Sequence, residues 1–261
     1  MPLNPDRHQR LVRQFSKASV HYSHAASVQY QSRLLLRPLV THHNPKYILD
    51  VGCGPGGFTY QISQWFPQSQ VVGIDIAEGM IHQAKKQNSH PNINYHLDAA
   101  ESYRHQHPVE LIMSNATLHW CEELQQACRS LCDSLDDQGQ MIFSYFGPKT
   151  YQELGQSIKQ VCGQSVPIVS EAFLTKKEVK KTLAPLFKDI QIIEKQLHKP
   201  FPNLMSLLRE IKLTGTQGPL PAKKGLWTRS AINEIENAYR KLTPSLSATF
   251  QVFLVKAERK K

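Results

Sequence analysis

The sequence has no long apolar run. No segment approaches the ~18 consecutive apolar residues of a membrane-spanning helix, so no membrane interaction is predicted. The opening residues, MPLNPDRHQR, lack the apolar stretch of a secretory signal. With 40% hydrophobic and 20% charged residues, the 261-residue chain has the composition of a globular protein. We therefore expect a cytoplasmic location.

Cysteine is scarce and follows no pattern. The five cysteines are an odd number without framework spacing, which favours reduced thiols over disulfides. Cys121, Cys128 and Cys132 fall on or beside one predicted helix, but their spacing matches no zinc signature and no histidines pair with them. We predict no metal site and interpret these three as buried small hydrophobic residues.

Acidic residues are also few, 21 against 31 lysines and arginines, which gives a net charge of +10. This excess is compatible with nucleic acid, an acidic protein partner, or solvation alone. The basic residues are spread along the chain, apart from four lysines at 176–181 and the final lysines, and no arginine-rich arm or aromatic-and-basic RNA motif is present. Nucleic acid is therefore the least favoured partner.

What the chain does contain is a glycine turn directly after a short apolar run, in ILDVGCGPGG at 48–57. The apolar run predicts a strand covered on both faces, and Gly52, Gly54 and Gly56 let the backbone turn sharply and approach a ligand closely. A helix is predicted next, from 58 to 66. A strand, glycine turn and helix in this order predict a nucleotide-type binding site.

Two aspartates narrow the choice of ligand. Asp75 ends the next apolar run, about 20 residues further on, where an acid suits the hydroxyl groups of a ribose. Asp50 lies at the mouth of the glycine turn, where it would repel a pyrophosphate but attract an ammonium group. S-adenosylmethionine has an ammonium group, a sulfonium and a ribose, and it has no phosphate.

The pattern D-x-G-C-G-P-G followed by V-x-G-I-D resembles the first two motifs of class I S-adenosylmethionine-dependent methyltransferases. The resemblance implies an α/β fold, a Rossmann-like sheet with helices on both faces, and S-adenosylmethionine as cofactor. In that family, the residue at the place of Met80 packs on the adenine, and LDAAE at 97–101 resembles the third motif, whose acid binds the adenine amino group. The residues assigned to the cofactor by this resemblance are Asp50, Gly52, Gly54, Gly56, Asp75, Ile76, Met80, Asp98, Ala99 and Asn115.

A second informative stretch, SNATLHW at 114–120, follows the strand predicted from 109 to 114. Open α/β sheets build their sites at the carboxyl ends of central strands, so Asn115, His119 and Trp120 are expected to face the reaction. His119 has two interpretations, a catalytic group or a hydrogen-bonding residue packed beside Trp120.

Flanking segments are predicted to cover the site. Residues 8–40 are expected to be helical, with an apolar stripe, and can form a lid. A capping box at Thr175 predicts the start of one helix, and another helix is predicted over residues 201–215. One methyltransferase domain is expected, divided into an N-terminal helical lid (1–43), a cofactor-binding core (44–195), a helical insertion capping the pocket (196–227) and a final helix and strand (228–261).

Four stretches in order are similar to the malonyl-acyl carrier protein O-methyltransferases of biotin synthesis. They are FSKASVHYSHAASVQ at 15–29, SNATLHWCEEL at 114–124, LMSLLREIKLTGTQG at 204–218, and LWTRSAI at 226–232 with the final TFQVFLVKAERK. One departure is the extended AAESYRHQHPVE at 99–110. The resemblance implies methylation of the malonyl carboxylate, with acidic acyl carrier protein as partner.

Such an enzyme needs no strong base, because a carboxylate is already an anion at neutral pH. It must align the carboxylate oxygen with the methyl group in a dry pocket and hold the carboxylate with a cation or hydroxyl. Arg209, Lys212 and Arg229 are candidate cations, Arg209 first because its fork can grip a carboxylate, and Tyr22 is a candidate from the lid.

Three alternatives remain at this stage. A small-acid methyltransferase of the trans-aconitate type would share the core motifs without needing a basic docking surface. A nucleic-acid methyltransferase would use the positive charge differently. A catalytically silent member that binds cofactor and recruits a partner is disfavoured by the presence of both aspartates and the glycines.

Overall fold

The computed structural model describes residues 5–163, 166–216 and 228–260. Within these ranges seven strands form one sheet. The strands are β1 (Tyr47–Val51), β2 (Gln70–Asp75), β3 (Ile93–Leu97), β4 (Val109–Asn115), β5 (Leu135–Phe146), β6 (Phe187–Pro200) and β7 (Ser247–Arg259).

The strand order, β3-β2-β1-β4-β5-β7-β6, creates a crevice beside the central strand. Strands β1 to β5 are parallel, whereas β7 runs antiparallel to both β5 and β6. The chain moves outward from β1 to β3 and then returns to the other side of β1 with β4. Ligands bind where the order reverses, so the carboxyl ends of β1 and β4 mark the expected site.

The central strands are buried on both faces. Ile48, Leu49, Asp50 and Val51 are consecutive and all inaccessible to solvent. Because successive side chains of a strand point to opposite faces, a continuous buried run means that both faces of the sheet are covered. The predicted α/β class and Rossmann-like sheet are confirmed.

Helices lie in the connections between the strands, except in the one between β3 and β4. None of those in the described ranges is long and apolar enough to cross a membrane. The helices are α1 (Pro5–Ala25), α2 (Ser27–Leu34), α3 (Gly57–Trp65), α4 (Glu78–Gln87), α5 (Leu124–Ser134), α6 (Gln152–Cys162), α7 (Lys176–Leu183), α8 (Leu204–Leu213) and α9 (Arg229–Leu242).

Most local signals led to the right element. The Thr175 capping box opens α7 as predicted, its hydroxyl accepting from the amide of Glu178 while the Glu178 carboxylate accepts from the Thr175 amide. The last two strands are long, and they pair with each other along most of their length. The expected boundary at 195/196 therefore falls inside β6, and most of the lid insertion's second half, 217–227, lies outside the described residues.

The N-terminal helical segment breaks at Ala26, which leaves the helical region with ψ of 45°. The break turns α2 so that Val28, Gln29 and Ser32 are buried. The predicted single apolar stripe is therefore wrong in its second half, where Tyr30 and Leu34 are exposed.

Two glycines let α1 pack closely on its neighbours. A Cβ at Gly79 of α4 would lie 2.7 Å from the Ser16 carbonyl oxygen of α1, too close for any side chain. A Cβ at Gly215, just after α8, would lie 3.0 Å from Cδ1 of Phe15. Because both contacts leave little room, α1 is held against α4 and against the end of α8.

Candidate functional site

Two cavities adjoin each other at the carboxyl ends of β1, β2 and β4. The first encloses about 820 Å³ and is lined by α1 and by residues that follow β2 and β3. The second encloses about 950 Å³ and is lined by α2 and the glycine loop. Both are lined by Tyr22, Gly52 and Gly54, so they form one cleft divided at Tyr22.

The glycine loop is shaped by left-handed backbone and by close contacts. Gly52, Gly54 and Gly56 have φ of +69°, +55° and +83°. A Cβ at Gly52 would overlap the Thr117 side chain, whereas the nearest side-chain atom to a Cβ at Gly54 would be 4.0 Å away, on Tyr22. Gly54 is therefore the position where the backbone is open to a ligand.

Asp50 is completely buried at the end of β1. Its Oδ2 accepts a hydrogen bond of 2.7 Å from the hydroxyl of Thr59, while its Oδ1 has no partner among the described residues. Burial raises the pKa of Asp50 to about 7; the Thr59 bond opposes the rise and nearby Asp75 adds to it. A buried carboxylate oxygen without a partner is a prepared site for a positively charged group.

Asp75 is held in a fixed orientation at the end of β2. Its two carboxylate oxygens accept from the amides of Gly54 and Ala77, each at 2.9 Å, and burial raises its pKa to about 6. A carboxylate oxygen has two acceptor positions, so both oxygens can still accept from ribose hydroxyl groups.

The far end of the first cavity has the features of an adenine pocket. Ile76 and Met80 lie on its wall, as does Asp98, whose carboxylate accepts from the amide of Ala99 at 2.8 Å. Ala99 itself does not line the cavity and instead orients Asp98. The wall continues with Ala100 and Glu101, neighbours that the motif alone did not assign.

Gly56 also has a role other than the expected ligand contact. A Cβ there would lie 2.6 Å from the Tyr95 hydroxyl and 3.0 Å from Ala84, which pack beneath the loop. Gly56 is thus required for packing and for its left-handed φ, and it lies outside the linings of both cavities.

Arg33 of α2 was missed by the sequence analysis. It lines the second cavity, its Nε has no partner among the described residues, and its guanidinium lies 4.5 Å from the centre of the Tyr30 ring. Burial lowers its pKa, and Tyr30 and Asp50 oppose that change. A guanidinium with an unused donor can donate two parallel hydrogen bonds to the two oxygens of a carboxylate. A single arginine within a helical segment offered no sequence signal for this role.

Asn115 borders the second cavity, but its amide is engaged within the protein. Its Oδ1 accepts from the hydroxyls of Ser32 at 2.7 Å and Ser144 at 2.8 Å, and its Nδ2 donates to the Gln29 carbonyl at 2.9 Å. Asn115 therefore ties α2 to β4 and β5 and places Arg33 over the cleft.

Trp120 and His119 are adjacent in sequence but lie in different surroundings. Trp120 lines the first cavity, with its ring centre 5.7 Å from that of Phe15. His119 is buried among aromatic rings, its Nδ1 receives a weak 3.5 Å contact from the Phe146 amide, and burial lowers its pKa to about 3. It lines none of the described cavities, so the geometry agrees with the packing interpretation.

The three predicted cations are not brought to the cleft. α8 buries Leu204, Leu207 and Ile211, which leaves Arg209 and Lys212 exposed on its outer side. Arg229, the first residue of α9, is also exposed. The expectation that these cations line the pocket is corrected: the apolar face of α8 packs inward and its charges face solvent.

A third, smaller cavity of about 270 Å³ adjoins the cleft through Gln29 and Trp120. Most of the polar residues that line it carry a hydroxyl group, namely Thr150, Tyr151, Ser170 and Thr216. Tyr151 has a left-handed φ of 58°, which is strained for a residue with a bulky side chain and is found preferentially at functional sites.

The cysteines behave largely as predicted. Cys128 and Cys132 are buried, and burial raises the pKa of Cys128 to about 12. Cys121 lines the first cavity, and burial raises the pKa of its thiol as well. Thiols with raised pKa values stay protonated near neutral pH, which suits packing rather than nucleophilic catalysis.

The residues present fit S-adenosylmethionine. The free Oδ1 of Asp50 suits the ammonium group, Arg33 suits the α-carboxylate, and Asp75 suits the ribose. The open backbone at Gly54 allows the ligand to pass between the two cavities, and an apolar wall with one acid lies at the adenine end.

Comparisons with known proteins find methyltransferases. A family model described as a methyltransferase domain matches residues 48–139. The chain is 31% identical over 233 residues to malonyl-acyl carrier protein O-methyltransferase 1 of Ilyobacter polytropus, covering 88% of this chain and 86% of that protein. It is 28% identical over 265 residues to the malonyl-acyl carrier protein O-methyltransferase of Halalkalibacterium halodurans, covering 95% and 97%.

Solved structures share the fold. The YcgJ protein from Bacillus subtilis matches with a TM-score of 0.62 and 14% identity, covering 89% of this chain and 99% of that one. A Haemonchus contortus phosphoethanolamine N-methyltransferase 2, in complex with phosphomonomethylethanolamine and S-adenosylhomocysteine, matches with a TM-score of 0.56 and 15% identity, covering 89% and 53%. At these identities the likeness concerns the fold alone.

Cofactor affinity is expected to rise with pH through about 7. The ionised form of Asp50 is the form expected to pair with the ammonium group, and burial raises the pKa of Asp50 to about 7. Below that value each pH unit should weaken binding by up to about tenfold. The ligand-free fold should show the opposite trend. Because the folded pKa lies above the unfolded one, the stability contributed by protonated Asp50 is lost as pH rises through about 7.

Calorimetry of S-adenosylmethionine binding between pH 5.5 and 7.5 measures the first trend. Asp50→Asn should remove the step near pH 7, leaving a smaller one near the pKa of about 6 of Asp75. Unchanged wild-type affinity across this range would contradict the role of Asp50.

Replacing Arg33 by methionine should weaken cofactor binding by loss of the carboxylate contact. Losing a hydrogen bond to a charged group typically costs about 1.5–3 kcal/mol, or roughly 10- to 150-fold in affinity. Binding of 5′-methylthioadenosine, which lacks the amino-acid part, should be nearly unaffected. Arg37→Met is the matched control, because Arg37 is exposed and lies against Trp65 and Phe66 outside the cleft. Equal loss for both ligands would place Arg33 in a structural role.

Proposed function

Because the chain belongs to the family of malonyl-acyl carrier protein O-methyltransferases, we propose that it methylates the free carboxylate of a malonyl thioester on acyl carrier protein. The observation that carries this proposal is the extent of the match. The general methyltransferase domain spans residues 48–139, whereas the similarity to a relative of that name extends over 88% of the chain. The match therefore reaches well beyond the common core, into the segments that surround the cleft.

The product would be a malonyl methyl ester still attached to its carrier. Esterification removes the negative charge at the end of the acyl chain, so that the chain can be extended in the way an apolar chain is. The proposed place of the reaction is therefore at the start of synthesis of the pimeloyl part of biotin.

Each part of the cofactor has a partner in the cleft. Asp50 binds the ammonium group, Arg33 the α-carboxylate and Asp75 the ribose hydroxyls. Asp98 accepts from the adenine amino group, and Met80 packs on the ring. S-adenosylmethionine, when bound, supplies a methyl group attached to a positively charged sulfur.

The protein's own task is to place the substrate carboxylate in line with that methyl group. One carboxylate oxygen forms a bond to the methyl carbon as the carbon–sulfur bond breaks, and the electron pair of that bond stays on sulfur. No proton has to be removed, because the carboxylate is already ionised at neutral pH. The reaction therefore has no need of His119, whose burial keeps it neutral.

Neutral donors, rather than a cation, orient the carboxylate. Tyr22 lies where the two cavities meet, and burial raises the pKa of its hydroxyl, with Asp75 adding to the rise. It therefore stays protonated and can donate to one carboxylate oxygen. Beyond Trp120, the hydroxyl-lined third cavity offers Tyr151 and Thr216 as further donors. Neutral donors hold a carboxylate while leaving much of its charge available for attack on the methyl carbon.

Methyl transfer from labelled S-adenosylmethionine tests the function directly. The substrates are malonyl-acyl carrier protein, malonyl-pantetheine and trans-aconitate, and Asp75→Ala serves as the inactive control. We expect a base-labile methyl ester on the carrier-bound malonyl group. Label found in trans-aconitate alone would support the assigned cofactor but show that the proposed substrate is wrong.

Tyr22→Phe should reduce kcat/KM for the malonyl thioester by about tenfold, the effect of one lost hydrogen bond of about 1.4 kcal/mol. Cofactor affinity should change less than about twofold, because no part of S-adenosylmethionine is assigned to the hydroxyl. Tyr60→Phe, a change at an exposed tyrosine, is the control. Unaltered kinetics in Tyr22→Phe would assign the carboxylate to the donors of the third cavity.

A further inference from the structure

Helix α1 has two faces with different characters. Leu11, Phe15 and Tyr22 point into the first cavity and form part of its wall. The other face carries Arg10, Arg13, Lys17 and His21, at the spacing of three and four residues that aligns side chains along a helix. One helix thus separates the cofactor cleft from a row of basic side chains.

This row forms one side of an open groove, and the end of α8 forms the other. Lys212 and Leu213 lie across from the basic row, with Ala18 between them at the base, and the groove has a volume of about 1,000 Å³ that includes space open to solvent. The two helices pack closely beside Gly215, where an added Cβ would lie only 3.0 Å from Cδ1 of Phe15 and 3.4 Å from Cβ of Ala18. The groove is therefore part of the packed structure.

Within the described part of the chain, no acidic side chain neutralises the cations of the groove. Among the described residues, Arg10, Arg13, Lys17 and Lys212 are exposed and none forms an ion pair with an acidic residue. Glu210, the nearby acidic residue of α8, forms an ion pair with Lys199, with 2.5 Å between Oε2 and Nζ. Like charges one turn apart on a helix destabilise it slightly, so an unpaired row is better explained by a partner than by stability.

We propose that this groove, between the outer face of α1 and the end of α8, is the docking site for an acidic helix of acyl carrier protein. The inference rests on the proposed function. The apolar base and cationic rim match an amphipathic helix that carries acidic residues on either side of an apolar stripe. In this proposal Lys212, and Arg209 one turn before it, contact the carrier protein and do not bind the substrate carboxylate. Docking here also places the carrier directly behind the helix that forms the cleft wall.

The test is a charge reversal in the groove, Arg13→Glu with Lys17→Glu. Its matched control is Lys180→Glu with Lys181→Glu on α7, which makes the same change in net charge on exposed residues elsewhere. Each protein is assayed with malonyl-acyl carrier protein and with malonyl-pantetheine, whose only charge is its carboxylate.

We expect the groove variant to lose about tenfold or more in kcat/KM for the carrier-bound substrate, mainly through KM. Its kcat/KM for malonyl-pantetheine should stay within about twofold of the wild-type value. Its kcat/KM for the carrier-bound substrate should depend less on salt concentration than that of the wild type. The α7 control should behave as the wild type with both substrates.

Two results would overturn the docking site while leaving the function intact. One is an unchanged kcat/KM for the carrier substrate in the groove variant, and the other is an equal loss in the groove variant and the α7 control. A groove variant that loses RNA binding but keeps its carrier kinetics would assign the groove to nucleic acid. Failure of the wild type itself to methylate malonyl-acyl carrier protein would instead refute the proposed function.

Discussion

The site depends on one buried carboxylate, that of Asp50 at the end of the central strand. Removing a charge from water is unfavourable unless it is paired, and among the described residues only Thr59 donates a hydrogen bond to the Asp50 side chain. Its remaining oxygen, Oδ1, has no partner among the described residues and is the proposed acceptor for the ammonium group of the cofactor. In the proposed binding mode the glycine loop, Arg33 and Asp75 surround the cofactor, and its ammonium group would complete the pairing of Asp50.

The second constraint is the connection of α2 to the sheet. Asn115 at the end of β4 receives two hydroxyl hydrogen bonds and gives one amide hydrogen bond to α2. Through this cluster the position of Arg33 is set by the same strand edge that carries Thr117 and Trp120. The wall of the second cavity is thus fixed by hydrogen bonds, whereas the wall of the first cavity is fixed by the packing of α1 on α4.

Much of the fold and of the cofactor cleft could be predicted from the sequence, because these features are encoded in residues that are adjacent in the chain. β2 ends at Asp75, where the apolar run was predicted to end, and Asp75 and Met80 line the first cavity, while Asp50 precedes Val51 and Gly52 of its wall. The rest required the tertiary structure. Arg33 reaches the cleft only because the chain breaks at Ala26, and Arg209 and Lys212 face outward only because α8 buries its other side. The positive charges looked evenly spread along the chain, yet helix geometry gathers several of them into one groove.

The position of β7 between β5 and β6 has a consequence for synthesis on the ribosome. β6 leaves the ribosome before β7 but has no neighbour in the sheet until β7 arrives, since β6 and β5 do not pair. The parallel strands that hold the cofactor cleft precede both in the chain. The nascent protein can thus assemble its cofactor half early, while β6, with unpaired backbone amides and carbonyls, must wait for almost fifty further residues, an interval in which it is open to pairing with another chain.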